Sequence, residues 1–196
     1  MVTKGEATRV AILGEGLSLA SRLGLEGLSL APLAERVGMS KSGLFAHFRS
    51  KEALQLAVLE EASARFVARV VVPALRAPRG RPRVESLFER WIAWSHAEFM
   101  PGGCIFVQAM IDLDPSHGVV WEKLVETQRD WLDVLAQAVR ISLAEGHFAP
   151  DTDAEQVAHE IVTLAFGHHL VERVVNPDAL DRTRRAFVSI LDRHAA

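Results

Sequence analysis

Short polar and basic side chains are concentrated between residues 40 and 51 of this chain. Ser40, Lys41, Ser42 and Gly43 follow one another, and Lys51 comes soon after them. Hydroxyl groups and backbone amides at the start of a helix donate hydrogen bonds to anionic oxygens, and the helix dipole favours negative charge there. Lysine ammonium groups neutralise the same anions. These residue types therefore suit contact with phosphate groups.

A short helical pattern precedes these side chains and ends at Gly38. It follows Ser29, a residue type favoured at helix N-caps, and apolar residues recur at i, i+3, i+4 and i+7 from Leu30. Pro32 falls in the first turn, where its missing N–H breaks no intrahelical bond. The sequence therefore predicts that Ser29 caps this helix through the amide of Ala31.

A second short helical pattern opens with Ser40 as its N-cap and turns Leu44 and Phe48 toward the interior. Two short helices that meet at a glycine-containing turn are typical of a helix-turn-helix motif. The second helix of that motif enters the DNA major groove by its N-terminal end, where side chains must be short or polar. Gly43 allows the backbone to approach closely, and Ala46 suits contact with a thymine methyl group.

Helical periodicity dominates the rest of the chain as well, so the sequence predicts an all-α fold. Besides the two short helices, helices are predicted at about residues 4–23, 51–72, 84–99, 105–113, 119–145, 153–175 and 178–194. The predicted caps and stops of these helices are Gly24, Pro73, Gly146, Asp153, Asn176-Pro177 and Asp178. A Pro/Gly/Arg-rich break at residues 76–84 is the best candidate for a domain boundary.

Composition excludes several classes of protein. Apolar residues make up 49% of the chain and charged residues 24%, which is ordinary for a globular protein. No apolar run approaches the ~20 residues that cross a bilayer, and no apolar signal segment follows the first charges. The single cysteine, Cys104, rules out an internal disulfide framework. We therefore expect a cytoplasmic protein with no membrane partner.

The net charge of −3 argues against a protein that coats nucleic acid by bulk electrostatics. The charge is uneven, because residues 1–52 contain seven basic and five acidic side chains, a net charge of +2 that leaves −5 for the remainder. This asymmetry suits a small DNA-reading head on an acidic body. The sequence contains no nucleotide-binding loop, HExxH motif or GxSxG motif, so we expect no enzymatic activity.

The run from Arg9 to Leu54, and above all its part LAERVGMSKSGLFAHFRSKEAL, resembles the tetracycline-repressor (TetR) family of bacterial transcription regulators. The resemblance implies a three-helix DNA-binding head at residues 1–52, a connecting helix at 53–75 and a larger helical ligand-binding and dimerisation body at 76–196. It implies phosphate contacts by Ser29, Ser40 and Lys51. The groove contacts that it implies are those of Lys41, Ser42, Gly43, Phe45, Ala46 and His47.

Large side chains are unusually concentrated in the middle of the chain, where the family resemblance implies an effector pocket between the helices of the body. A pocket lined by aromatic rings and a few polar groups suits an apolar or aromatic molecule. The predicted pocket residues are Trp91, Trp94, His96, Phe99, Phe106, Met110, Gln128 and Trp131. The alternative is that most of these side chains form the core.

The long helices predicted at 119–145 and 153–175 have apolar residues on more than one side, as a helix buried against its own core and a partner requires. The resemblance implies that two copies pair through them as a four-helix bundle. Such a homodimer would place its recognition helices about 34–36 Å apart, matching a palindromic operator. The predicted interface residues are Leu135, Ile161, Ala165, His168 and His169.

No metal site or other cofactor is predicted. His168 and His169, with His159 nine residues earlier, could suggest a metal site, but the adjacent pair points to different faces of a helix and no second carboxylate or thiol lies at a matching spacing. A satisfied or interfacial histidine is the better interpretation. Asp112, Asp114 and His117 could also form a site, but an Asp-Pro step in a helix-ending loop explains them better. A redox role for Cys104 stays open if its thiol lies at a helix N-terminus.

Taken together, these features predict a ligand-responsive, DNA-binding transcriptional regulator. We expect a repressor that binds double-stranded operator DNA as a homodimer and is released by a small, largely apolar or aromatic effector. The alternative is a helical ligand-binding or adaptor protein that has lost sequence-specific DNA reading.

Overall fold

The structure, a computed structural model, describes residues 4–175 and 178–196. Most of these residues are helical, and the β-structure among them is one isolated bridge between Phe148 and Ala195, so the predicted all-α fold is confirmed. The α-helices are α1 (Lys4–Gly27), α2 (Leu30–Arg36), α3 (Lys41–His47), α4 (Lys51–Phe66), α5 (Val72–Ala74), α6 (Arg81–Ser95), α7 (Ile105–Asp112), α8 (Gly118–Ala144), α9 (Ala154–Val174) and α10 (Ala179–Arg193). A π-helical turn (Val67–Val71) joins α4 to α5, and a 3-10 turn (Pro115–His117) precedes α8.

Several predicted helix ends are confirmed. Ser40 caps α3, and Asp153 caps α9 by accepting a hydrogen bond from the Gln156 amide at 3.0 Å. Gly24 interrupts α1 with a φ of 76°, a left-handed conformation that favours glycine, although helical structure resumes as far as Gly27. The stop predicted at Asn176-Pro177 lies outside the described residues.

Four other expectations about helix ends are wrong. Ser29 precedes α2 but its side chain makes no capping hydrogen bond, and the same holds for Asp178 before α10. Pro73 does not end the fourth helix, because the π-helical turn before it places the proline in the first turn of α5, where no N–H is required. The break near residue 80 is shorter than predicted, since α6 already begins at Arg81.

The first compact unit comprises the chain up to residue 65 together with residues 96–127. Its core includes Leu17, Leu25 and Leu54, which are fully buried. The loop before α7 closes on α1, where the Gly102 amide donates a hydrogen bond to the Ser21 hydroxyl at 3.1 Å. At the other end of α7, the half-buried Asp112 carboxylate accepts a hydrogen bond from the Leu25 amide. The head therefore shares one core with α7.

The second compact unit comprises residues 66–95 and 128–196. Its helices α9 and α10 pack along each other, and α6 packs on α9. Phe88 of α6 stacks on Phe187 of α10 with ring centroids 3.8 Å apart. This division differs from the predicted boundaries at residues 52 and 75, because α7 packs on α1 in the first unit.

The described helices include none that is both long enough and apolar enough to cross a membrane.

Candidate nucleic-acid interface

The turn between α2 and α3 is fixed by two backbone hydrogen bonds across the end of α2. The Met39 amide donates to the Ala34 carbonyl at 2.9 Å, and the Gly38 amide donates to the Glu35 carbonyl at 3.2 Å. Gly38 has a φ of 65°, which a residue with a side chain adopts only with strain. These are the bonds of a Schellman motif, so the sequence locally encodes the angle at which α3 leaves α2.

The N-terminal end of α3 is ordered by its cap. The Ser40 hydroxyl oxygen accepts a hydrogen bond from the Gly43 amide at 3.0 Å and lies 3.1 Å from the Ser42 hydroxyl. Ser40, Lys41 and Ser42 are exposed. This arrangement presents hydroxyl, ammonium and amide donors together at the positive end of a helix dipole, which suits an anionic partner.

The opposite face of α3 is buried against the rest of the head. Leu44 is 0% exposed and Phe48, directly after the helix, is 2% exposed. The Arg9 guanidinium of α1 lies 4.6 Å from the centre of the Phe48 ring and donates to the His47 carbonyl at 3.4 Å. On the outward face Phe45 is 51% exposed, a large apolar side chain that no core requires. Packing of Leu44 and Phe48 against the head therefore fixes the orientation of the exposed face of α3.

The start of α4 is a second ordered helix N-terminus beside α3. The Ser50 hydroxyl accepts a hydrogen bond from the Ala53 amide at 3.0 Å. The buried Gln55 side chain donates to the Leu25 carbonyl at 2.6 Å, which ties α4 to the end of α1. Lys51 is therefore presented by a helix whose position relative to α1 is fixed.

Lys51 forms an ion pair with Glu26, with 2.7 Å between the ammonium nitrogen and one carboxylate oxygen. The second oxygen of Glu26 lies 3.3 Å from the His117 Nε2 atom, and His117 Nδ1 lies 3.1 Å from the Asp114 carboxylate. Glu26 thus links the predicted phosphate ligand Lys51 to the turn that opens α8.

These contacts shift the pKa values of three groups. The hydrogen bond from Lys51 holds the pKa of the Glu26 carboxyl below its ordinary value, and the attraction of Lys51 and His117 lowers it further. Hydrogen bonds from Ser116 lower the pKa of Asp114. Desolvation lowers the pKa of His117, but hydrogen bonds and attraction from Asp114 and Glu26 outweigh it, so the pKa lies above its ordinary value of 6.5.

All nine residues predicted to contact DNA lie in the head or at the start of α4, and none of them is buried. Five are exposed and the rest are half-buried. Their contact with DNA stays a prediction. The exposed group is Ser40, Lys41, Ser42, Phe45 and Ala46, and the half-buried group is Ser29, Gly43, His47 and Lys51.

Sequence reasoning missed four residues that shape this surface. The Ser50 cap had a local signal, because a serine directly before a helical pattern is a common N-cap. No local sequence signal marks Arg9, Glu26 or His117, because the partner of each residue is distant in the sequence.

The predicted effector-pocket residues divide between the two compact units. Trp91, Trp94 and Trp131 lie in the second unit, where they join Phe66 in a buried cluster of edge-to-face rings with centroids 4.9–5.4 Å apart. Gln128 is half-buried in the same unit. Ligand contact stays a prediction for all eight residues. The remaining four, in the first unit, are the exposed His96, the half-buried Phe99 and Met110, and the buried Phe106.

A cavity of about 320 Å³ lies elsewhere in the second unit, and none of the eight predicted pocket residues lines it. Its walls come from the π-helical turn, the end of α5, α6 and the second half of α8. Most of its lining side chains are apolar, and Arg83, Asp133 and Gln137 are the polar ones.

The predicted dimer-interface residues are buried inside the single chain. Leu135, Ile161 and Ala165 are 0% exposed, and His168 and His169 are also buried. Side chains that their own chain already surrounds have little surface left for a partner, and the place of these five residues in a dimer interface stays a prediction. Larger exposed apolar side chains cluster near the end of α9, namely Leu170, Val171, Val174 and Val175.

The histidine and cysteine alternatives can be placed in the structure. His168 Nδ1 lies 3.1 Å from the Thr183 hydroxyl, a buried contact between α9 and α10. Asp114 caps the 3-10 turn, which supports the helix-ending loop. Cys104 is buried directly before α7. Among residues 4–175 and 178–196, no group of three or more His, Cys, Asp or Glu side chains could hold a metal ion.

Comparisons with known proteins match both parts of the chain. A family model for bacterial regulatory proteins of the tetR family matches residues 12–58. A second model, for the tetracyclin repressor-like C-terminal domain, matches residues 80–187. The HTH-type transcriptional regulator UidR of Escherichia coli (strain K12) is 24% identical over 167 residues, which cover 85% of this chain and 82% of that protein.

Solved structures are similar over almost the whole chain. A transcriptional regulator of the TetR family from Cytophaga hutchinsonii superposes with a TM-score of 0.88 at 20% identity, covering 100% of this chain and 98% of that chain. The regulator CifR, solved with 26-base-pair operator DNA, has a TM-score of 0.80 at 27% identity. That match covers 92% of this chain and 96% of the CifR chain.

Proposed function

This chain belongs to the TetR family of ligand-responsive, DNA-binding transcriptional regulators, and we propose that it represses transcription by binding a palindromic operator as a homodimer. The observation that supports this most directly is the N-terminal end of α3. Its capped, exposed donors stand on a helix that the Schellman turn and the buried Leu44 hold in place. The proposed function places the protein in the bacterial cytoplasm and requires no catalytic step.

The head reads DNA through the exposed face of α3. Lys41 and Ser42 reach base edges or phosphates in the major groove, and Ala46 and Phe45 supply apolar contact for thymine methyl groups. The amides at the starts of α3 and α4, together with Lys51, bind phosphates on either side and fix the register of the head.

The homodimer is formed by the ends of α9 and by α10. Leu170, Val171 and Val174 present apolar surface at helical spacing near the end of α9, and Val188 on α10 is 45% exposed. Pairing of α9 and α10 with the same helices of a second copy would bury this surface. Two heads related by such a two-fold axis meet successive half-sites about 34–36 Å apart.

The effector acts by population shift. The effector is a small, largely apolar molecule that binds the body more tightly when the two heads are wrongly spaced for the operator. The larger the difference between its affinities for the two conformers, the more it weakens operator binding. The helix α8 contributes its first part to one compact unit and its second part to the other, so it is a candidate element for passing this change along the chain.

The test is fluorescence anisotropy of the full-length protein on DNA from just upstream of its own gene, compared with a scrambled duplex at low and near-physiological salt. We expect a preference of about a thousandfold or more for the operator. Lys41→Ala and Lys51→Ala should each weaken binding and reduce its salt dependence. Lys123→Ala is a matched control, because Lys123 lies on α8 and pairs with Glu126.

Equal and weak binding to every duplex, including sites selected from the whole genome, would contradict the proposal. That outcome would favour the alternative of a helical ligand-binding or adaptor protein that has lost sequence-specific DNA reading.

A further inference from the structure

The cavity of about 320 Å³ in the second compact unit has an almost wholly apolar lining. Its volume lies at the lower end of the range of about 300–1,000 Å³ that is usual for ligand pockets. The volume suits a molecule with one ring or a medium-length chain rather than a nucleotide-sized cofactor. The large apolar side chains of its wall are Val71, Leu75, Leu87, Val134 and Ile141.

The face of α8 that lines the cavity has a small residue at its centre. Val134, Ala138 and Ile141 are spaced at i, i+4 and i+7, so they lie on one face of the helix. Ala138 has the smallest side chain of the residues that line the cavity, and it is only 4% exposed. A larger side chain at this position would therefore occupy part of the cavity.

The backbone at another wall of the cavity is irregular. Val71 ends the π-helical turn and Leu75 follows α5 directly. Single π-helical turns inside α-helices are found frequently at functional sites. Leu75 is 50% exposed although it is large and apolar, so this wall offers apolar surface that the chain itself does not cover.

The polar residues around the cavity offer no partner for a charged ligand. Arg83 donates from a terminal nitrogen to the Ala77 carbonyl at 3.1 Å, and its Nε atom is buried. The Gln137 side-chain oxygen accepts a hydrogen bond from Arg140 at 3.1 Å, and Asp133 is exposed. Because the lining is almost wholly apolar, these residues bring mainly carbon atoms to the cavity wall.

This lining determines which ligands gain by entering. An ionised group would lose its hydration shell without gaining a partner, which is costly. A neutral apolar molecule gains free energy when its surface and the cavity wall leave water together. Water is a poor competitor, because a water molecule in such a site finds few hydrogen-bond partners.

The surroundings of the cavity favour a small molecule over a protein partner. A stable protein interface buries about 800 Å² on each partner. Beside the exposed Leu75 the chain presents the exposed Arg76, and the cavity residues Asp133 and Gln137 are exposed and polar as well. An apolar concavity with polar side chains around it therefore fits an enclosed ligand better than an apolar protein face.

We propose that this cavity is the effector site and that its effector is a neutral apolar molecule, which contacts Leu75, Leu87 and Val134. The role as effector site rests on the proposed function. The site itself and the ligand class rest on the volume and the lining of the cavity.

The experiment is isothermal titration calorimetry of the full-length protein with two hydrocarbons, ethylbenzene and hexane. Each is compared with ions of similar shape, which are phenylacetate and benzylammonium for ethylbenzene, and hexanoate and hexylammonium for hexane. At least one hydrocarbon should bind with a dissociation constant at least tenfold below those of both its ions.

Two variants place the binding in the cavity. Ala138→Leu, which fills the space, and Leu75→Asp, which adds a charge to the wall, should each raise the dissociation constant of the hydrocarbon at least tenfold. Val119→Asp is the matched control for Leu75→Asp and should leave that constant unchanged, because Val119 is 46% exposed and lies on α8 in the first unit. Circular dichroism and thermal melting check that each variant folds. Leu75→Asp changes an exposed side chain, so it decides alone if Ala138→Leu does not fold.

The proposal is overturned if neither hydrocarbon binds, or if the ions bind as tightly as the hydrocarbons. It is also overturned if the Leu75→Asp protein binds the hydrocarbon as tightly as the parent does. A lower oligomeric state of Leu75→Asp in analytical ultracentrifugation would mean that a second copy covers this face, which contradicts the proposal as well.

Calorimetry needs no DNA, so its result is independent of operator recognition. A hydrocarbon that binds in the cavity and raises the dissociation constant of the operator complex at least tenfold would support the proposal in full. A hydrocarbon that binds there but leaves the operator complex intact would overturn the role of the cavity as effector site. Failure of the unliganded protein to prefer any operator would overturn the proposed function instead.

Discussion

Lys51 is paired with the Glu26 carboxylate, so a DNA phosphate must compete with Glu26 for the Lys51 ammonium group. Its ammonium group lies 2.7 Å from Glu26, and both side chains are about half exposed. Glu26→Gln removes a charge that repels phosphate and frees Lys51. Because exposed ion pairs are worth about 0–1 kcal/mol, operator binding should tighten about two- to fivefold in low salt, and less at higher ionic strength. Fluorescence anisotropy on the operator duplex measures the change.

A matched variant separates this effect from a general change in net charge. Glu122 is an exposed acid of α8, and Glu122→Gln should change operator affinity less than Glu26→Gln. In a Lys51→Ala background, Glu26→Gln should increase operator affinity less than it does when Lys51 is present. Weaker operator binding by Glu26→Gln would contradict this prediction. It would mean that the main effect of Glu26 is to position Lys51 for DNA, not to compete with phosphate for its ammonium group.

His117 makes the stability of this cluster depend on pH. Its pKa is raised in the folded protein, so the protonated form favours folding. That stabilisation is fully present below the ordinary pKa of about 6.5 and is lost as the pH rises through the raised folded value. Glu26 and Asp114 stay ionised at about pH 5.5 because their own pKa values are lowered. His117→Gln should therefore reduce the free energy of unfolding at about pH 5.5 and leave it nearly unchanged near pH 9.

Urea denaturation of the parent and His117→Gln at the two pH values measures this difference. Lys51 faces the same Glu26 carboxylate and is present in both proteins, so its contribution cancels in the comparison. An equal loss of stability at both pH values would show that His117 acts by packing rather than by charge.

At the scale of elements, the contact between α1 and the loop before α7 depends on a residue without a side chain. A β-carbon at Gly102 would overlap the carbonyl oxygen of Ser21. Gly102→Ala must therefore move the loop or α1, at a cost of about 1–3 kcal/mol in the free energy of unfolding. Gly167→Ala in α9 is the control, because a β-carbon there meets nothing within 4 Å.

Urea denaturation should show Gly167→Ala unchanged or stabilised by up to about 1 kcal/mol, since alanine is the better helix former. If Gly102→Ala were as stable as the parent, the loop would be free to shift, and the hydrogen bond from Gly102 to Ser21 would contribute little to the position of α7.

The elements that could be predicted from the sequence are those whose signals are local. The turn before α3 needs only Gly38 and the Ser40 cap, which lie within a few residues of each other. The π-helical turn could not be predicted, because it spans only five residues, too few for its shift of the apolar periodicity to be recognised. The Lys51–Glu26 pair could not be predicted either, since an exposed ion pair between distant residues leaves no pattern in the sequence.

At the scale of the whole molecule, the sequence predicts which helices have apolar faces. It does not predict which of those faces pack in the core and which contact a partner. Ile161 and Ala165 fit a dimer interface by periodicity alone, yet they are buried within one chain. The same apolar pattern serves a core and an interface, and only the packing of the other helices separates them. What remains exposed after folding is therefore the better guide to pairing.

The exposed apolar end of α9 leads to a prediction about assembly. Val171 and Val174 lie one helical turn apart and are 42% and 79% exposed. If they form the dimer face, the Val171→Asp, Val174→Asp double variant should become monomeric in analytical ultracentrifugation. Its affinity for the full palindrome should fall about a hundredfold or more, because the second head no longer binds at a high effective concentration. Affinity for an isolated half-site should change little.

Ile111→Asp is the control for this experiment, since Ile111 on α7 is 63% exposed but lies on neither α9 nor α10. It should stay dimeric and keep its preference for the full palindrome. A dimer that survives both aspartates would place the interface on another surface. A monomer that still prefers the palindrome as strongly as the parent would separate operator recognition from pairing, because two heads would then assemble on DNA without the α9 contact.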